Sequence, residues 1–219
     1  MGVDWNAHIE RERARYEDGQ QRVPDEPDAR QRQLTRIGNA AYGAGLASLM
    51  LGRTDDARDW LSRTVEAYRD SYADAPPASW GRLVAMLKSS ILAGDWDAAA
   101  AHAEQTLAEG AADADSPIGR YAATLALLTL GHDEDARPVV SSIRERDDFP
   151  PDVADALATI AAEDPPGYTL AIESVLESFD QRTEYLEDIP VADTVIVLQA
   201  LAAERGMAAE LSSPLLPPS

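Results

Sequence analysis

The sequence predicts an all-α fold of stacked antiparallel helical hairpins, and the main evidence is a turn that occurs three times between apolar helical stretches. Each copy consists of a Gly, a short acidic turn and an Ala five residues after the Gly. Gly often ends a helix because it adopts positive φ without strain, and acidic side chains favour the positive N-terminal end of the next helix. Apolar residues recur at helical spacing on both sides of each turn. The three copies are Gly52–Ala57, Gly94–Ala99 and Gly131–Ala136.

These turns organise the 219 residues as one predicted helical-repeat domain. Proline-rich stretches, which cannot continue a helix, precede the hairpins at 28–75, 78–110 and 151–182, and a small acidic loop from Ala111 to Asp115 precedes the hairpin at 116–148. The last helix is nearly all apolar from Val195 to Ala203, so we expect it to be buried, either by its own chain or by a second copy in a homodimer. The predicted segments are a capping helix with a linker (1–27), hairpins at 28–75, 78–110, 116–148 and 151–182, a C-terminal helix (190–206) and an extended tail (207–219).

Local signals set the individual helix ends. Ser, Thr and Asp side chains cap a helix by accepting a hydrogen bond from one of its first N–H groups. The fourth hairpin lacks the Gly turn, and we expect Pro165–Tyr168 to replace it, with Ala171 in the place of the repeated Ala, five residues after Pro166. The predicted capping residues are Asp4, Thr54, Ser79 and Ser116.

Three glycines lie inside the long helix that is predicted to run to Leu51. Each costs the helix about 1 kcal/mol relative to Ala. A Gly-rich phosphate-binding loop would follow a strand, and no strand is predicted before these residues. We therefore expect Gly38, Gly43 and Gly45 to permit close approach between helices.

The turns are 42 residues apart from Gly52 to Gly94 and 37 apart from Gly94 to Gly131. Helix-turn-helix repeats of about 34 residues are typical of tetratricopeptide proteins, and repeats of about 40–47 residues of other helical solenoids. The motifs Gly94–Ala99 and Gly131–Ala136, each with a small or aliphatic residue four positions after the Ala, resemble tetratricopeptide repeats, although the spacing is uneven and no Pro recurs at the repeat ends. The resemblance implies a right-handed stack of hairpins that binds other proteins.

A second resemblance covers the middle and the end of the chain. Trp80–Met86 with Ile91–Asp95, and Leu201–Gly206 with Ser213–Pro217, are similar to the immunity protein 49 family of polymorphic toxin systems. This resemblance implies an all-helical protein that neutralises a toxin. It carries no functional residue over to this sequence.

The chain is strongly acidic. Its 39 acidic and 19 basic residues give a formal net charge of −20, and Lys88 is the single lysine. Because the acids are spread along the chain, we expect a protein from a halophilic organism, in which salt screens the self-repulsion. The alternative is a docking face for a basic partner. Nucleic-acid binding is not expected, because phosphate backbones require an excess of Lys and Arg.

No motif in the sequence predicts catalysis or a cofactor. The chain has no Cys and three His, and it lacks nucleophile, phosphate-loop and His-Glu-x-x-His motifs. His8 and Glu12 are four residues apart and could share a metal ion, but a solvated pair is the expected outcome. Since no leader-like segment and no apolar run near the roughly 18 residues of a membrane span is present, we expect a cytoplasmic protein that does not enter membranes.

The candidate binding site is a groove on the first helices of successive hairpins, which line the concave face of tetratricopeptide proteins. Lys88 falls near its middle and two arginines begin the same helices, so the groove would be a positive region in an acidic molecule. We expect it to accept an acidic side chain or a C-terminal carboxylate of a peptide. Alternatively, Lys88 is simply exposed and the tyrosines pack against the capping helix or the tail. The candidate residues are Asn39, Tyr42, Arg82, Lys88, Arg120 and Tyr121.

Three functional hypotheses result. The first is a non-catalytic scaffold for protein–protein interaction, with a protein or peptide partner that the sequence does not identify. The second is an immunity protein whose acidic surface blocks a basic, nuclease-like toxin. The third is a hydrolase whose site has no recognisable motif.

Overall fold

The structure is a computed structural model that describes residues 3–218, apart from the side chain of Leu186. Within that range it contains ten α-helices, two short 3₁₀ turns and no strand, which confirms the all-α prediction. Most consecutive helices pack against each other. The helices are α1 (Trp5–Gln20), α2 (Pro27–Met50), α3 (Thr54–Ala73), α4 (Trp80–Leu92), α5 (Trp96–Ala108), α6 (Pro117–Thr129), α7 (Asp133–Arg144), α8 (Pro151–Ala162), α9 (Pro165–Asp180) and α10 (Asp193–Ala203).

The contacts divide the chain into two compact units. Unit 1 contains α1 to α4 together with residues 183–191 and the end of the chain from 214. Unit 2 contains residues 96–182 and 192–213, and therefore α5 to α10. The two helices of the predicted hairpin 78–110 thus belong to different units.

The three Gly turns have the same backbone geometry. Gly52, Gly94 and Gly131 have φ values of 67°, 69° and 71°. In each turn the Gly N–H bonds to the carbonyl three residues back, and the next N–H bonds to the carbonyl five residues before it. This is the Schellman arrangement of a helix C-terminus. The following helix begins two residues after the Gly in every case, as the motif predicts.

The fourth turn is the same motif without a glycine, and its predicted register was wrong. Glu163 has a positive φ of 53°, its N–H bonds to the Ile160 carbonyl, and the next N–H bonds to the Thr159 carbonyl. The helix α9 begins two residues later. Counting five residues from Glu163 places Tyr168, rather than Ala171, at the position of the repeated Ala. Tyr168 is fully buried there.

The predicted helix caps are correct in two cases out of four. Asp4 accepts a hydrogen bond from the Ala7 N–H at 3.0 Å, and Ser116 accepts one from the Gly119 N–H at 3.2 Å. Thr54 is the first residue of α3 and not its cap. Ser79 stands at the cap position, but its hydroxyl donates to the Pro76 carbonyl at 2.6 Å, so it accepts nothing from α4.

The interior glycines of α2 lie at close helix contacts, which confirms that prediction. A Cβ on Gly38 would lie 2.9 Å from two ring carbons of Tyr68 in α3. A Cβ on Gly45 would lie 2.9 Å from the side chain of Leu61, which is also in α3. A Cβ on Gly43 would lie 2.7 Å from Ile189, which belongs to the segment 183–191. These glycines let α3 and that segment pack directly on the backbone of α2.

The segment 183–191 is also held by charged groups of α1. The carboxylate of Glu12 is fully buried and accepts hydrogen bonds from Arg11 at 2.7 Å and Arg15 at 2.8 Å. Arg15 also pairs with the Glu187 carboxylate, and Arg11 donates to the Glu187 carbonyl. Glu187 and Asp188 both have positive φ. The second half of the chain therefore contributes to the packing of α1.

The apolar helix α10 is buried by its own chain. Val195, Val197, Leu198 and Leu201 are fully buried, and α10 packs against α8 and α9. Its apolar character therefore does not require a second copy. None of the described helices is both long enough and apolar enough to cross a membrane.

Gln199 of α10 connects this helix to α9 and to the residues that follow α10. The Tyr168 hydroxyl donates to Gln199 Oε1 at 2.8 Å, and Gln199 exchanges two hydrogen bonds with the Ala209 backbone. Burial raises the pKa of Tyr168, so its hydroxyl remains a donor.

Candidate functional site

Unit 1 contains a half-buried guanidinium, that of Arg82 near the start of α4. Its Nε donates to Ser71 Oγ in α3 at 2.8 Å, and one terminal nitrogen donates to Gln31 Oε1 in α2. The side chain is half-buried, and burial lowers the pKa of Arg82. No carboxylate among the described residues forms an ion pair with it. A guanidinium stays charged at any ordinary pH, so Arg82 is a partly desolvated cation with neutral partners.

Neighbouring polar groups fix the position of Arg82. The Ser71 hydroxyl donates to the Gln31 carbonyl at 2.6 Å, which leaves its oxygen lone pairs for Arg82 and for the Thr35 hydroxyl 2.9 Å away. The Gln31 amide nitrogen donates to Asp28 Oδ1 at 3.1 Å, so the acceptor end of this side chain faces Arg82. Asp28, the acidic residue of this hydrogen-bond network, is therefore connected to Arg82 only through the side-chain amide of Gln31.

Asn39 and Tyr68 belong to the same neighbourhood. The Tyr68 hydroxyl donates to Asn39 Oδ1. Burial raises the pKa of Tyr68 to about 12, the charge of Glu187 adds to the rise, and the charge of Arg82 opposes it. The Tyr68 hydroxyl therefore remains protonated, and it orients Asn39 so that the amide nitrogen points away from the phenol.

The other two candidate residues of unit 1 lie differently. Tyr42 is buried, so most of its ring is already covered by the chain. Lys88 is half-buried on α4, six residues after Arg82. Six residues turn a helix through 1.67 turns, which separates the two side chains by about 120° around α4. Arg82 and Asn39 thus share one polar neighbourhood, and Lys88 lies on another side of the helix.

The two candidates of unit 2 are engaged within their own unit. Arg120 Nε donates to the Ala114 carbonyl at 2.9 Å, in the loop before α6. Tyr121 is buried, and its ring centroid lies 5.4 Å from that of Phe149. These contacts involve the loop before α6 and the loop after α7.

The residues predicted for the site did not include Gln31, Tyr68 and Ser71. Tyr68 was recognisable as part of the apolar stripe of α3, and Ser71 follows it by one helical turn. Gln31 carries no local signal, because it meets Arg82 across a separation of 51 residues.

His8 and Glu12, the pair considered for a metal ion, have other partners. The Glu12 carboxylate is occupied by two guanidinium groups. His8 lies 5.7 Å from the Trp5 ring, and burial lowers its pKa. Among the described residues no group of three His, Cys, Asp or Glu side chains is placed to hold a metal ion.

No protein-family model matches the chain, and comparisons with curated proteins and with solved structures find no match either.

The Arg82 neighbourhood is suited to binding an anion. A guanidinium has five N–H donors, and two of those of Arg82 are used by Ser71 and Gln31. The remaining donors form the planar fork that matches a carboxylate. The surrounding groups are an amide, a hydroxyl and a protonated phenol, which orient charges without taking up protons near neutral pH.

Proposed function

We propose that the protein is a non-catalytic binding scaffold that accepts an acidic group of a protein or peptide partner at Arg82. The observation that supports this most directly is the half-buried guanidinium of Arg82, which has only neutral partners although the chain carries a net charge of −20. A carboxylate from a partner would add a charge-assisted pair at a position where solvent is already partly excluded.

The architecture supports a role in binding. Successive helical hairpins expose helix faces that solenoid proteins use to recognise partners, and the four Schellman turns give this chain the recurring unit of such a protein. The tetratricopeptide-like, right-handed stacking remains part of the proposal.

The net charge gives the proposed interaction a characteristic salt dependence. Acidic residues spread over the chain repel an acidic partner at long range, and this repulsion is screened when the Debye length falls to about 10 Å at 0.1 M salt. A half-buried contact at Arg82 is screened much less. The affinity for an acidic partner should therefore rise from very dilute buffer to moderate salt. Binding between two oppositely charged surfaces would instead weaken as salt is added.

The proposal is tested with fluorescently labelled pentapeptides that end in Asp or Glu, each with a free or an amidated C-terminus. We expect binding that requires a free carboxylate and is lost in Arg82→Gln, with partial retention in Arg82→Lys, which keeps the charge but loses the fork. The control is Arg13→Gln, which removes an exposed Arg paired with Glu17 on α1. The variant Lys88→Glu tests whether the predicted groove around Lys88 also contributes to peptide affinity.

Equal affinity of wild type and Arg82→Gln for every peptide would contradict the proposal. Helix content measured by circular dichroism shows whether Arg82→Gln is folded. If Arg82→Gln unfolds, the deciding comparison is between wild type and Arg82→Lys. The affinity of each protein is then measured for the amidated peptides.

Neutralisation of a basic toxin is a second candidate, and the net charge of −20 is the observation that favours it. Acidic surfaces accelerate encounter with basic proteins. The test is binding to, and inhibition of, a basic nuclease-like protein encoded by an adjacent gene. Absence of such a neighbour or of inhibition would exclude this candidate.

A further inference from the structure

A cleft of about 280 Å³ lies between α1 and the first half of α2 in unit 1. Three arginines line it, Arg15, Arg22 and Arg36, together with one acidic residue, Asp18. The whole chain has 39 acidic and 19 basic residues, so the cleft reverses the overall composition. Its volume is just below the roughly 300–1,000 Å³ of pockets for drug-sized ligands, which favours a small anionic group.

Arg15 is held at the cleft by two carboxylates. Its Nη1 donates to the buried Glu12 carboxylate at 2.8 Å and also pairs with Glu187. Arg11 shares Glu12, so the charges of these four side chains balance. Since both contacts of Arg15 run through Nη1, its Nε and Nη2 are the donors left for a ligand.

Arg22 is paired with Asp18, and this pair also balances in charge. The two side chains are 68% and 57% exposed. Exposed ion pairs of this kind contribute little to stability, because water and salt screen them. Arg22 can therefore exchange Asp18 for a ligand that carries more charge.

Arg36 supplies the uncompensated charge of the cleft. It is exposed on α2 and forms no hydrogen bond or ion pair with any described residue. A guanidinium has five N–H donors in one plane and stays charged at any ordinary pH. All the donors of Arg36 are therefore open to a ligand.

The carbonyl groups at the end of α1 would repel an anion if they were open, but donors of the chain cover them. The Gly19 carbonyl accepts hydrogen bonds from the Arg22 N–H and from the Gln33 side-chain amide, each at 3.1 Å. The Asp18 carbonyl accepts one from Arg22 Nε at 3.4 Å. The partial negative charge of this helix end is thus largely masked beside the cleft.

We propose that this cleft binds a phosphate dianion, either inorganic phosphate or the phosphate group of a phosphorylated side chain. Such a group carries a charge of about −1.5 to −2 near neutral pH and has three acceptor oxygens, one for each arginine. A carboxylate offers two oxygens and a single charge. A nucleic acid is disfavoured, because its many phosphates would meet the acidic remainder of the chain. The site is independent of Arg82.

The experiment is a calorimetric titration at a fixed ionic strength of about 0.2 M, where long-range repulsion by the acidic surface is screened. The probes are inorganic phosphate, acetate, and a neutral pentapeptide with either phosphoserine or serine at its centre. We expect phosphate to bind at least about tenfold more tightly than acetate and the serine peptide not to bind. Tighter binding of the phosphoserine peptide than of phosphate would identify a phosphorylated protein as the source, and the reverse order the free ion.

Three variants distinguish the cleft from the general surface. Arg36→Gln should raise the dissociation constant of phosphate at least about tenfold. The matched control is Arg69→Gln on α3, which removes another exposed arginine without an ion pair to a described residue; it should change the constant less than about twofold. Asp18→Asn should lower the constant about threefold or more, because it removes the competing acid and releases Arg22.

Three results would overturn the proposal. The first is an equal effect of Arg36→Gln and Arg69→Gln, which would indicate a diffuse response to charge. The second is equal affinity for phosphate and acetate. The third is an Asp18→Asn variant that binds phosphate no more tightly than wild type, which decides the matter even if Arg36→Gln does not fold.

Discussion

The guanidinium of Arg205, just beyond α10, holds both carboxylate oxygens of Asp133, the first residue of α7. The Nε to Oδ2 distance is 2.9 Å, and the side chains are only 9% and 15% exposed. Arg205 also donates to the carbonyls of Leu128 and Leu201, each at 2.8 Å. One side chain thus connects α10, α6 and the start of α7. The acidic turn after Gly131 therefore supplies a tertiary ion pair through Asp133, in addition to its favourable interaction with the dipole of α7.

We expect Arg205→Ala to destabilise the protein by about 3 kcal/mol, because it leaves the Asp133 carboxylate shielded and unpaired. Urea unfolding followed by circular dichroism measures the change. The matched variant Arg144→Ala breaks the pair with Asp155, whose side chains are 54% and 52% exposed. It should cost less than about 1 kcal/mol. Equal costs would show that the Arg205 pair contributes no more than an ordinary surface pair.

Glu163 should be a site where glycine stabilises the fold. A non-Gly residue in left-handed conformation costs about 1 kcal/mol, and Glu163 has a φ of 53°. We expect Glu163→Gly to raise the thermal midpoint by about 2–4 °C. The reverse change at an equivalent turn, Gly131→Ala, should lower it by a similar amount. No rise in Glu163→Gly would mean that the side chain of Glu163 stabilises the native turn.

Gly38→Ala should weaken the packing of α2 against α3. The new Cβ would lie 2.9 Å from the Tyr68 ring, a distance that forces the ring or a helix to move. Overpacking of this kind costs about 1–3 kcal/mol. Gly81→Ala is the control, because a Cβ at this position in α4 has no neighbour within 4 Å. It should be neutral or stabilise α4 by up to about 1 kcal/mol, and a similar loss from both variants would rule out the packing explanation.

The buried phenol of Tyr68 predicts a loss of stability at alkaline pH. The pKa of Tyr68 is raised to about 12 by burial, whereas an unfolded chain has a tyrosine pKa near 10. The stability that this shift contributes is complete below pH of about 10 and is lost as pH rises through about 12, since the unfolded chain ionises first. The difference in unfolding free energy between wild type and Tyr68→Phe should therefore shrink above pH of about 10. A difference independent of pH up to about 11 would contradict the assignment.

Salt should stabilise the protein as a whole. With a net charge of −20, repulsion between carboxylates grows as the Debye length increases from about 3 Å at 1 M salt to about 30 Å at 0.01 M. We expect the thermal midpoint to rise from dilute buffer to molar KCl. A midpoint that does not change over this range would remove the argument for a halophilic source.

Sequence reasoning succeeded where a single local signal determines the structure. Gly52, Gly94 and Gly131 end their helices because a residue without a Cβ adopts positive φ at no cost. Ser116 caps α6 because its hydroxyl lies next to the N–H groups that need it. Glu163 was not recognised because the same turn is formed there by a residue with a side chain, so no glycine marks it in the sequence.

The candidate site was predictable only in part. Arg82 stood out as a cation at a helix start in an acidic chain. Its partners Gln31 and Ser71 were not predictable, because they come from two other helices and their separation from Arg82 is set by packing. Residues 183–189 lie between the last predicted hairpin and the predicted C-terminal helix. Only the fold shows the carbonyl and carboxylate groups of Glu187 against Arg11 and Arg15.

That segment has a consequence for biogenesis. Unit 1 needs residues 183–191 to cover α1 and α2, yet these residues leave the ribosome only after all of α5 to α9 has been made. Until then the nascent N-terminal helices expose the backbone at Gly43 and the buried carboxylate of Glu12 to solvent. An N-terminal fragment ending at residue 95 should for the same reason be more readily proteolysed than those helices are in the finished chain.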